Sequence, residues 1–254
     1  MTSSSVTNNS QREHKEVGKS PHAAVFDCDG LLVDSQPCWE RAYAAVAAAR
    51  GRALDDVRLE RLLGASVARA ATLVSEDLGA PVSVGELRVA LDASFAADPP
   101  EPLPGVTELV TDLAGRMPLG VASNGPRELV VAVLEQLGLR ELFATVVSAD
   151  ETARDKPAPD VYLEACRRLG VAPQRAVAFE DSALGAQAAR SAGLFVVLVP
   201  AAPGVPADAD LVVPRLDDAG LRAFLDLSGP DRVAPRPAAV GVDDGHAAEA
   251  PAEV

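Results

Sequence analysis

Short apolar runs alternate with helical patterns along most of the chain, and this alternation predicts its architecture. The first run, at 22–26, favours β structure and ends in a polar loop. After residue 105, helical patterns alternate with apolar runs at 118–123, 144–148, 175–180, 194–199 and 210–213. Strands that alternate with helices form a parallel sheet covered on both faces. The predicted fold class is therefore α/β, with a Rossmann-like parallel sheet as its core.

The segment between the first two strands is predicted to be helical. An alanine-rich pattern runs from Pro37 to Gly51, and three further helical patterns cover 54–63, 66–78 and 84–97. A proline-rich stretch at 99–105 then ends the helical pattern. We predict an α-helical domain at 35–102, inserted into a core made of 21–34 and 103–227.

Both ends of the chain lack the periodicity of a folded element. Residues 1–20 are polar, and residues 228–254 are rich in Pro, Ala and Gly, so we predict disordered tails. The first 20 residues have no apolar region typical of a signal peptide. No apolar run approaches the ~18 residues needed to span a bilayer. We therefore expect no association with a membrane.

Composition narrows the classes of partner. The net charge of −14 disfavours nucleic acid, which is bound mostly through Lys and Arg. A small anionic substrate stays compatible with this charge, because one lysine, a metal and backbone N–H groups can neutralise it locally. The three cysteines form no C-x-x-C pair, so neither a disulfide framework nor a zinc site is indicated. We expect a cytoplasmic protein, a monomer or weak homodimer.

The clearest candidates for catalytic or metal-binding residues directly follow the first strand. Asp27 and Asp29 are two positions apart, so in extended backbone both can face one site while Cys28 turns to the interior. Two such carboxylates suit a divided task, one as nucleophile or metal ligand and the other as acid. The alternative is an ordinary turn, since Asp and Gly are both turn residues.

Polar residues also follow three later strands. Because the carboxyl ends of parallel strands share one edge of a sheet, these side chains are expected to converge with Asp27. The residues are Ser123 and Asn124, Lys156, and the pair Glu180 and Asp181. Each has a simpler interpretation: Ser123 and Asn124 as a helix cap, Lys156 as a solvated lysine, and Asp181 or Ser182 as the cap of the next helix.

Four segments at these intervals closely resemble the signature motifs of the haloacid dehalogenase superfamily: DCDGLLVDS, SNGP, DKPAPDVY and FEDSALGAQAARSAG. The resemblance covers about 23–213. It is to the branch that carries a helical cap after the first motif and includes β-phosphoglucomutases and sugar-phosphate phosphatases. By this resemblance the inserted helical domain is the cap.

The resemblance implies a role for each motif residue. Asp27 would accept the phosphoryl group as an aspartyl phosphate, and Asp29 would protonate the leaving alcohol and then deprotonate the attacking water. Ser123 and Asn124 would hold phosphoryl oxygens, and Lys156 would fix the charge. Positioning and charge neutralisation of this kind account for most of the catalysis of phosphoryl transfer.

The resemblance also implies a cofactor and a substrate class. Mg²⁺ would be held by Asp27, the backbone carbonyl of Asp29, and Glu180 or Asp181 or both. The substrate would be a small phosphorylated metabolite, a sugar or polyol phosphate. Cap residues would select it, and the candidates include Trp39 and Arg69.

Two departures from the mutase pattern favour a phosphatase. Mutases of this branch carry a histidine where this chain has Trp39, and an arginine where it has Val67. A phosphosugar mutase stays as an alternative, as does a non-catalytic member that binds a metabolite. Trp39 itself is also compatible with a core aromatic.

Overall fold

The computed structural model describes residues 21–200 and 208–227. In this part of the chain, six parallel strands form one sheet in the order β3-β2-β1-β4-β5-β6. The strands are β1 (Ala23–Phe26), β2 (Leu119–Ser123), β3 (Phe143–Ser148), β4 (Ala176–Glu180), β5 (Phe195–Leu198) and β6 (Leu211–Val212). The prediction of an α/β fold with a parallel sheet is confirmed.

The central strand β1 is buried on both faces because its side chains alternate between two cores. On one face Phe26 stacks on Phe179 at 4.6 Å between ring centroids and meets the edge of Phe143 at 5.8 Å. On the other face Ala23 and Val25 pack with small side chains from neighbouring strands and helices. Aromatic packing and tight small-residue packing together hold the end of β1 in a fixed position.

Eight α-helices accompany the sheet in the described residues. Three lie between β1 and β2: α1 (Gln36–Ala48), α2 (Val67–Leu78) and α3 (Val84–Ala97). The others are α4 (Val106–Ala114), α5 (Arg127–Gln136), α6 (Asp160–Leu169), α7 (Ala183–Ala192) and α8 (Ala219–Phe224). Helices α1, α2 and α3 were predicted within a few residues of these bounds, and α4 to α7 match the helical patterns predicted after residue 105. The short α8 was not predicted.

The predicted helix at 54–63 is wrong. Two short 3-10 turns, Leu54–Asp56 and Leu59–Arg61, take its place, and the backbone between them is extended at Val57. Asp77 of α2 accepts a hydrogen bond from the backbone N–H of Arg58 and pairs with the guanidinium groups of Arg58 and Arg61. These contacts with α2 keep residues 54–63 from forming the α-helix that their sequence pattern predicts.

We call residues 36–97, from the start of α1 to the end of α3, the helical insertion. Two of its helices, α2 and α3, begin at well-formed caps: Ser66 accepts a hydrogen bond from the backbone of Arg69, and Ser83 forms a capping box with Glu86. Domain bounds of 35–102 for this part stay a prediction. The predicted tails, 1–20 and 228–254, lie outside the described residues. Within the described residues, no helix combines the length and apolar character needed to cross a bilayer.

Candidate active site

Three adjacent strands, β2, β1 and β4, end at the same edge of the sheet, and the central polar residues of the site lie at or directly after their ends. Phe26 of β1 pairs with Phe179 of β4, so the residues that follow, Asp27 and Glu180, stand side by side. The backbone N–H of Asp27 donates to the carbonyl of Phe179 at 3.0 Å. On the other side of β1, β2 ends at Ser123. The predicted convergence at the carboxyl edge of the sheet is therefore observed.

Lys156 reaches this edge from the loop before α6. Its side chain is 2% exposed, and its Nζ donates to Asp27 Oδ1 at 2.8 Å and to Glu180 Oε1 at 2.6 Å. Burial lowers the pKa of Lys156, but the two carboxylates more than offset burial and hold that pKa above its usual value. Lys156 is thus a buried ammonium, and the alternative of a solvated loop lysine is excluded.

Tyr162 of α6 completes the surroundings of Lys156. Its hydroxyl donates a short hydrogen bond to Glu180 Oε1, and its ring lies 5.0 Å from the Lys156 ammonium. Burial, and next the charge of Glu180, raise the pKa of the Tyr162 hydroxyl, so it stays protonated and donates. Tyr162 was not among the predicted site residues, although it lies inside the quoted DKPAPDVY segment. Its spacing from Lys156 places it on the first turns of α6, facing the site.

Three buried carboxylates can hold a metal ion. Asp27, Glu180 and Asp181 each offer an oxygen, and these oxygens lie within 4.8 Å of one another. Burial is the largest cause that raises the pKa of each, and Lys156 acts against it at all three. Repulsion adds to the rise, from Asp29 at Asp27, from Asp27 at Glu180, and from Asp27 and Glu180 at Asp181. When ionised they carry three negative charges against the single positive charge of Lys156, which leaves two. A divalent cation balances this excess.

Asp181 provides the more direct evidence for a cation. Its Oδ1 is buried and has no hydrogen-bond partner, which is costly for a carboxylate. By contrast, Glu180 uses Oε1 for Lys156 and Tyr162, and Oε2 accepts from the backbone N–H of Asp181 at 3.2 Å. Hard oxygen ligands of this kind suit Mg²⁺ or Ca²⁺. The donor set therefore fits a divalent cation, with Asp181 as the acid that has a free oxygen.

Two glycines allow these carboxylates to take their positions. Gly30 has a φ of +79°, and a Cβ there would overlap the carboxylate of Asp181. Gly185 lies in the first turn of α7, and a Cβ there would overlap the carboxylate of Glu180. Only glycine leaves room for the acid at either position. Sequence reasoning missed Gly185, for which the only signal was a glycine inside an alanine-rich helix.

Asp29 is held by the first turn of the helical insertion. Its Oδ1 accepts from Ser35 Oγ at 2.5 Å and from Trp39 Nε1 at 3.2 Å. A Cβ at Gly125 would lie 2.7 Å from its other oxygen, Oδ2, so glycine is needed there too. Ser35 was missed by sequence reasoning. It occupies the N-cap position of α1 but makes no capping hydrogen bond, since its hydroxyl serves Asp29 instead.

The structure places Ser123 and Asn124 in a tightly bonded loop. Ser123 Oγ accepts from the backbone N–H of Gly125 at 2.9 Å. The Asn124 side chain donates to the carbonyl of Gly64 at 2.7 Å and accepts from the backbone N–H of Lys156 at 2.9 Å. No side chain caps α5, so the helix-cap interpretation of this pair does not hold. Asn124 instead joins the loop of Lys156 to the helical insertion.

A cavity of about 390 Å³ opens between this edge and the helical insertion. Asp27, Asp29, Ser123 and Lys156 line one end of it, and Trp39 lines its wall. Further lining residues that sequence reasoning missed come from the insertion and from the segment after β6: Gln36, Glu40, Tyr43, Leu59, Leu62, Leu63, Arg215 and Leu216.

Arg69 does not line this cavity, contrary to the expectation that it helps to select the substrate. It lies on α2, whose buried face is formed by Val67, Ala70, Ala71 and Val74. Its side chain falls on the exposed face of that helix. Helix α2 meets the core instead through Ser66, whose hydroxyl donates to Asp155 at 2.5 Å.

The model of the haloacid dehalogenase-like hydrolase family matches residues 21–193, a stretch that holds Asp27, Ser123, Lys156 and Asp181. The chain belongs to this family. The resemblance seen in the four motifs is thereby confirmed, as is the prediction of a hydrolase of this type.

Three related proteins illustrate the similarity. The chain is 35% identical to fructose-1-phosphate phosphatase YqaB of Escherichia coli, over 68% of this chain and 93% of that protein. It is 37% identical to validoxylamine A 7'-phosphate phosphatase of Streptomyces hygroscopicus, over 68% of this chain and 83% of that protein. CbbY of Rhodobacter sphaeroides, solved in complex with xylulose-(1,5)bisphosphate, shares 26% identity and a TM-score of 0.66, over 84% of this chain and 99% of that one.

Proposed function

We propose that this chain is a Mg²⁺-dependent phosphatase that hydrolyses a small sugar or polyol phosphate through an aspartyl phosphate on Asp27. The observation that carries this proposal is the position of Asp27. It ends the central strand, is paired with the buried ammonium of Lys156, and shares a cluster of oxygens with Glu180 and Asp181. Among the named relatives, two act by name on phosphorylated carbohydrate-like compounds, which supports this substrate class.

In the first step a carboxylate oxygen of Asp27 forms a bond to phosphorus while the ester oxygen of the substrate leaves. Asp29 gives its proton to that leaving oxygen, so an alcohol departs rather than an alkoxide. In the second step water attacks the same phosphorus, Asp29 takes a proton from it, and the bond to Asp27 breaks. Phosphate is released and both aspartates return to their starting states.

The surrounding residues stabilise and orient these groups. Lys156 offsets negative charge on Asp27 and on the phosphoryl group, as charge-assisted hydrogen bonds do. Glu180 and Tyr162 hold the ammonium of Lys156 in place. Ser35 and Trp39 both donate to Oδ1 of Asp29, which leaves Oδ2 for the proton transfer.

Asp27 and Asp181 would bind Mg²⁺, with Glu180 close by. The bound ion would neutralise charge that develops on the phosphoryl oxygens. Asp181 is the stronger candidate ligand of the two neighbouring acids, because its buried Oδ1 has no other partner while Glu180 is fully engaged. The helical insertion would act as the cap that encloses the alcohol and excludes bulk water.

The test is phosphate release from a panel of sugar and polyol monophosphates, with Mg²⁺ and with EDTA. We expect metal-dependent release that Asp27→Asn abolishes and that the exposed variant Asp92→Asn leaves unchanged. Mg²⁺ and beryllium fluoride should also produce a ¹⁹F signal of an aspartyl-fluoroberyllate, absent in Asp27→Asn. No release and no adduct from folded protein would support a binding role. Isomerisation without net release, in the presence of a sugar bisphosphate, would identify a mutase instead.

A further inference from the structure

The charged side chains around the cavity are unevenly distributed. Lys156 lies at the end next to Asp27, where its Nζ donates to the carboxylates of Asp27 and Glu180. Among the described residues that line the cavity, Arg215 is the only other lysine or arginine. Its side chain is 57% exposed, and its guanidinium donates to both carboxylate oxygens of Asp217, at 2.9 and 2.7 Å. Within the described residues, the remainder of the cavity lining therefore offers no unpaired lysine or arginine to a substrate.

Acidic and amide groups line the same region. Gln36 and Glu40 lie one turn apart on α1, on the helix that also carries Trp39, and all three line the cavity. Gln36 Nε2 donates to Glu40 Oε1 at 2.8 Å. In the described part of the chain, the other carboxylate oxygen of Glu40 accepts no hydrogen bond. The exposed acid Asp34 lines the cavity as well.

We propose that Glu40, held by Gln36, selects substrates by charge. The enzyme accepts phosphate esters of neutral or amine-bearing polyols and rejects those whose alcohol carries a second anionic group, either a carboxylate or a phosphate. A second anion would be placed in a cavity lined by Glu40 and Asp34, whose described lining supplies no free lysine or arginine. Hydroxyl and ammonium groups, by contrast, can donate to the free oxygen of Glu40. This inference rests on the proposed phosphatase activity and narrows its substrate class.

The inference separates this chain from a relative of the same fold. CbbY of Rhodobacter sphaeroides was solved with a bisphosphate bound. A site for a bisphosphate needs cations at two places, because each phosphate group must be neutralised on leaving water. The described residues of this chain supply one such place, at Lys156. We therefore expect sugar bisphosphates to be poor substrates here, despite the similar fold.

The experiment compares two substrates of equal length. Sorbitol 6-phosphate and 6-phosphogluconate differ by one terminal group, a hydroxymethyl in the first and a carboxylate in the second. We expect wild type to favour sorbitol 6-phosphate in kcat/KM by at least about tenfold, which corresponds to about 1.4 kcal/mol of charge repulsion. Glu40→Gln should remove most of this preference, and Glu40→Lys should invert it. Glucosamine 6-phosphate should be favoured over glucose 6-phosphate in wild type only.

Ionic strength and two control variants distinguish substrate selection by charge from substrate selection by shape. Raising ionic strength from 0.01 to 1 M shortens the screening length from about 30 to 3 Å, so a charge-based preference should shrink while a steric one should not. Glu135→Gln removes an equal charge from an exposed position outside the cavity lining and should change nothing. If 6-phosphogluconate is used well and Arg215→Gln abolishes that use, Arg215 is a free cation and the inference is overturned.

The outcomes also separate this inference from the proposed function. Hydrolysis of both substrates at equal rates, unaffected by Glu40→Gln, would disprove charge selection and leave the phosphatase intact. No phosphate release from these two substrates or from the wider panel, and no beryllium fluoride adduct, by folded protein with Mg²⁺, would disprove both, because the selection exists only if the phosphatase does. A preference that persists at 1 M salt and in Glu40→Gln would show that shape, and not Glu40, makes the choice.

Discussion

Gly185→Ala is the substitution for which helix propensity and the structure predict opposite results. Alanine is favoured over glycine in a helix by up to about 1 kcal/mol, so propensity alone predicts a more stable protein. The structure predicts the reverse, because the new Cβ would overlap the carboxylate of Glu180. The backbone of α7 cannot easily retreat, since the N–H of Gly185 is bonded to Ser182 Oγ at 3.1 Å. Glu180 must therefore move.

The cost can be estimated from what Glu180 holds. Overpacking of a filled interior costs about 1–3 kcal/mol, and loss of a hydrogen bond to a charged group costs about 1.5–3 kcal/mol. The bond at risk is the one from Lys156 to Glu180 Oε1, at 2.6 Å. After subtraction of the propensity gain, we expect a net loss of about 2–4 kcal/mol. The matching decrease in Tm is roughly 5–15 °C for a chain of this size.

A second glycine provides the matched control. Gly85 also lies in the first turn of a helix, α3, but a Cβ there would meet nothing within 4 Å. Gly85→Ala should leave stability unchanged or raise it by up to about 1 kcal/mol. Urea unfolding of both variants in EDTA measures the two effects, and phosphate release should fall only in Gly185→Ala. Shortening the acid with Glu180→Asp should recover part of the stability lost in Gly185→Ala.

A Gly185→Ala protein as stable and as active as wild type would refute the reasoning. Such a result would mean that Glu180 can adopt another rotamer without releasing Lys156. The same conclusion would follow if Gly85→Ala and Gly185→Ala changed stability by equal amounts, because the effect would then come from the helix backbone and not from the acid.

Two further predictions concern the aspartates. Burial, and next Asp27 and Glu180, raise the pKa of Asp181, so the folded protein binds its proton more tightly than the unfolded chain. In EDTA, Asp181→Asn should therefore unfold at higher urea than wild type at pH 8, with a difference that shrinks toward pH 5. Adding Mg²⁺ should reverse the order, because only wild type binds it well. Ser35→Ala should lower kcat with little change in KM, since Ser35 contacts Asp29 and orients it. A change confined to KM would place Ser35 in substrate binding instead.

The chemistry at the sheet edge could be predicted because it follows from topology. Parallel strands end on one edge, so residues that follow separate strands, such as Asp27 and Glu180, had to be neighbours. The sequence did not reveal how close they are, or that Tyr162 shares Glu180 with Lys156. These details depend on side-chain packing. Gly185 is the clearest example, because α7 needs glycine there only where strand β4 places the carboxylate of Glu180 against it.

The helical insertion was harder to predict for a physical reason. Three of its four predicted helices are observed, yet the helix at 54–63 was wrong because Asp77, far along the chain, binds Arg58 and Arg61. Arg69 was assigned to the site from its position in the insertion, whereas the face that a helix presents is set by what it packs against. Glu40 was overlooked for the converse reason, since a single acid on a helix usually faces solvent.

The site residues that were easier to predict and those that were harder to predict have different proposed roles. The groups proposed to break the ester, Asp27, Lys156 and Asp181, stand on strand ends or bond to them, where a rigid sheet fixes their positions to within a hydrogen bond. The groups proposed to choose the alcohol, Trp39 and Glu40, stand on a helix of the insertion. Two relatives of similar identity act by name on different phosphorylated compounds. If the proposed roles hold, changes on this helix should alter the substrate without moving the reacting groups, and variants at Glu40 test that independence directly.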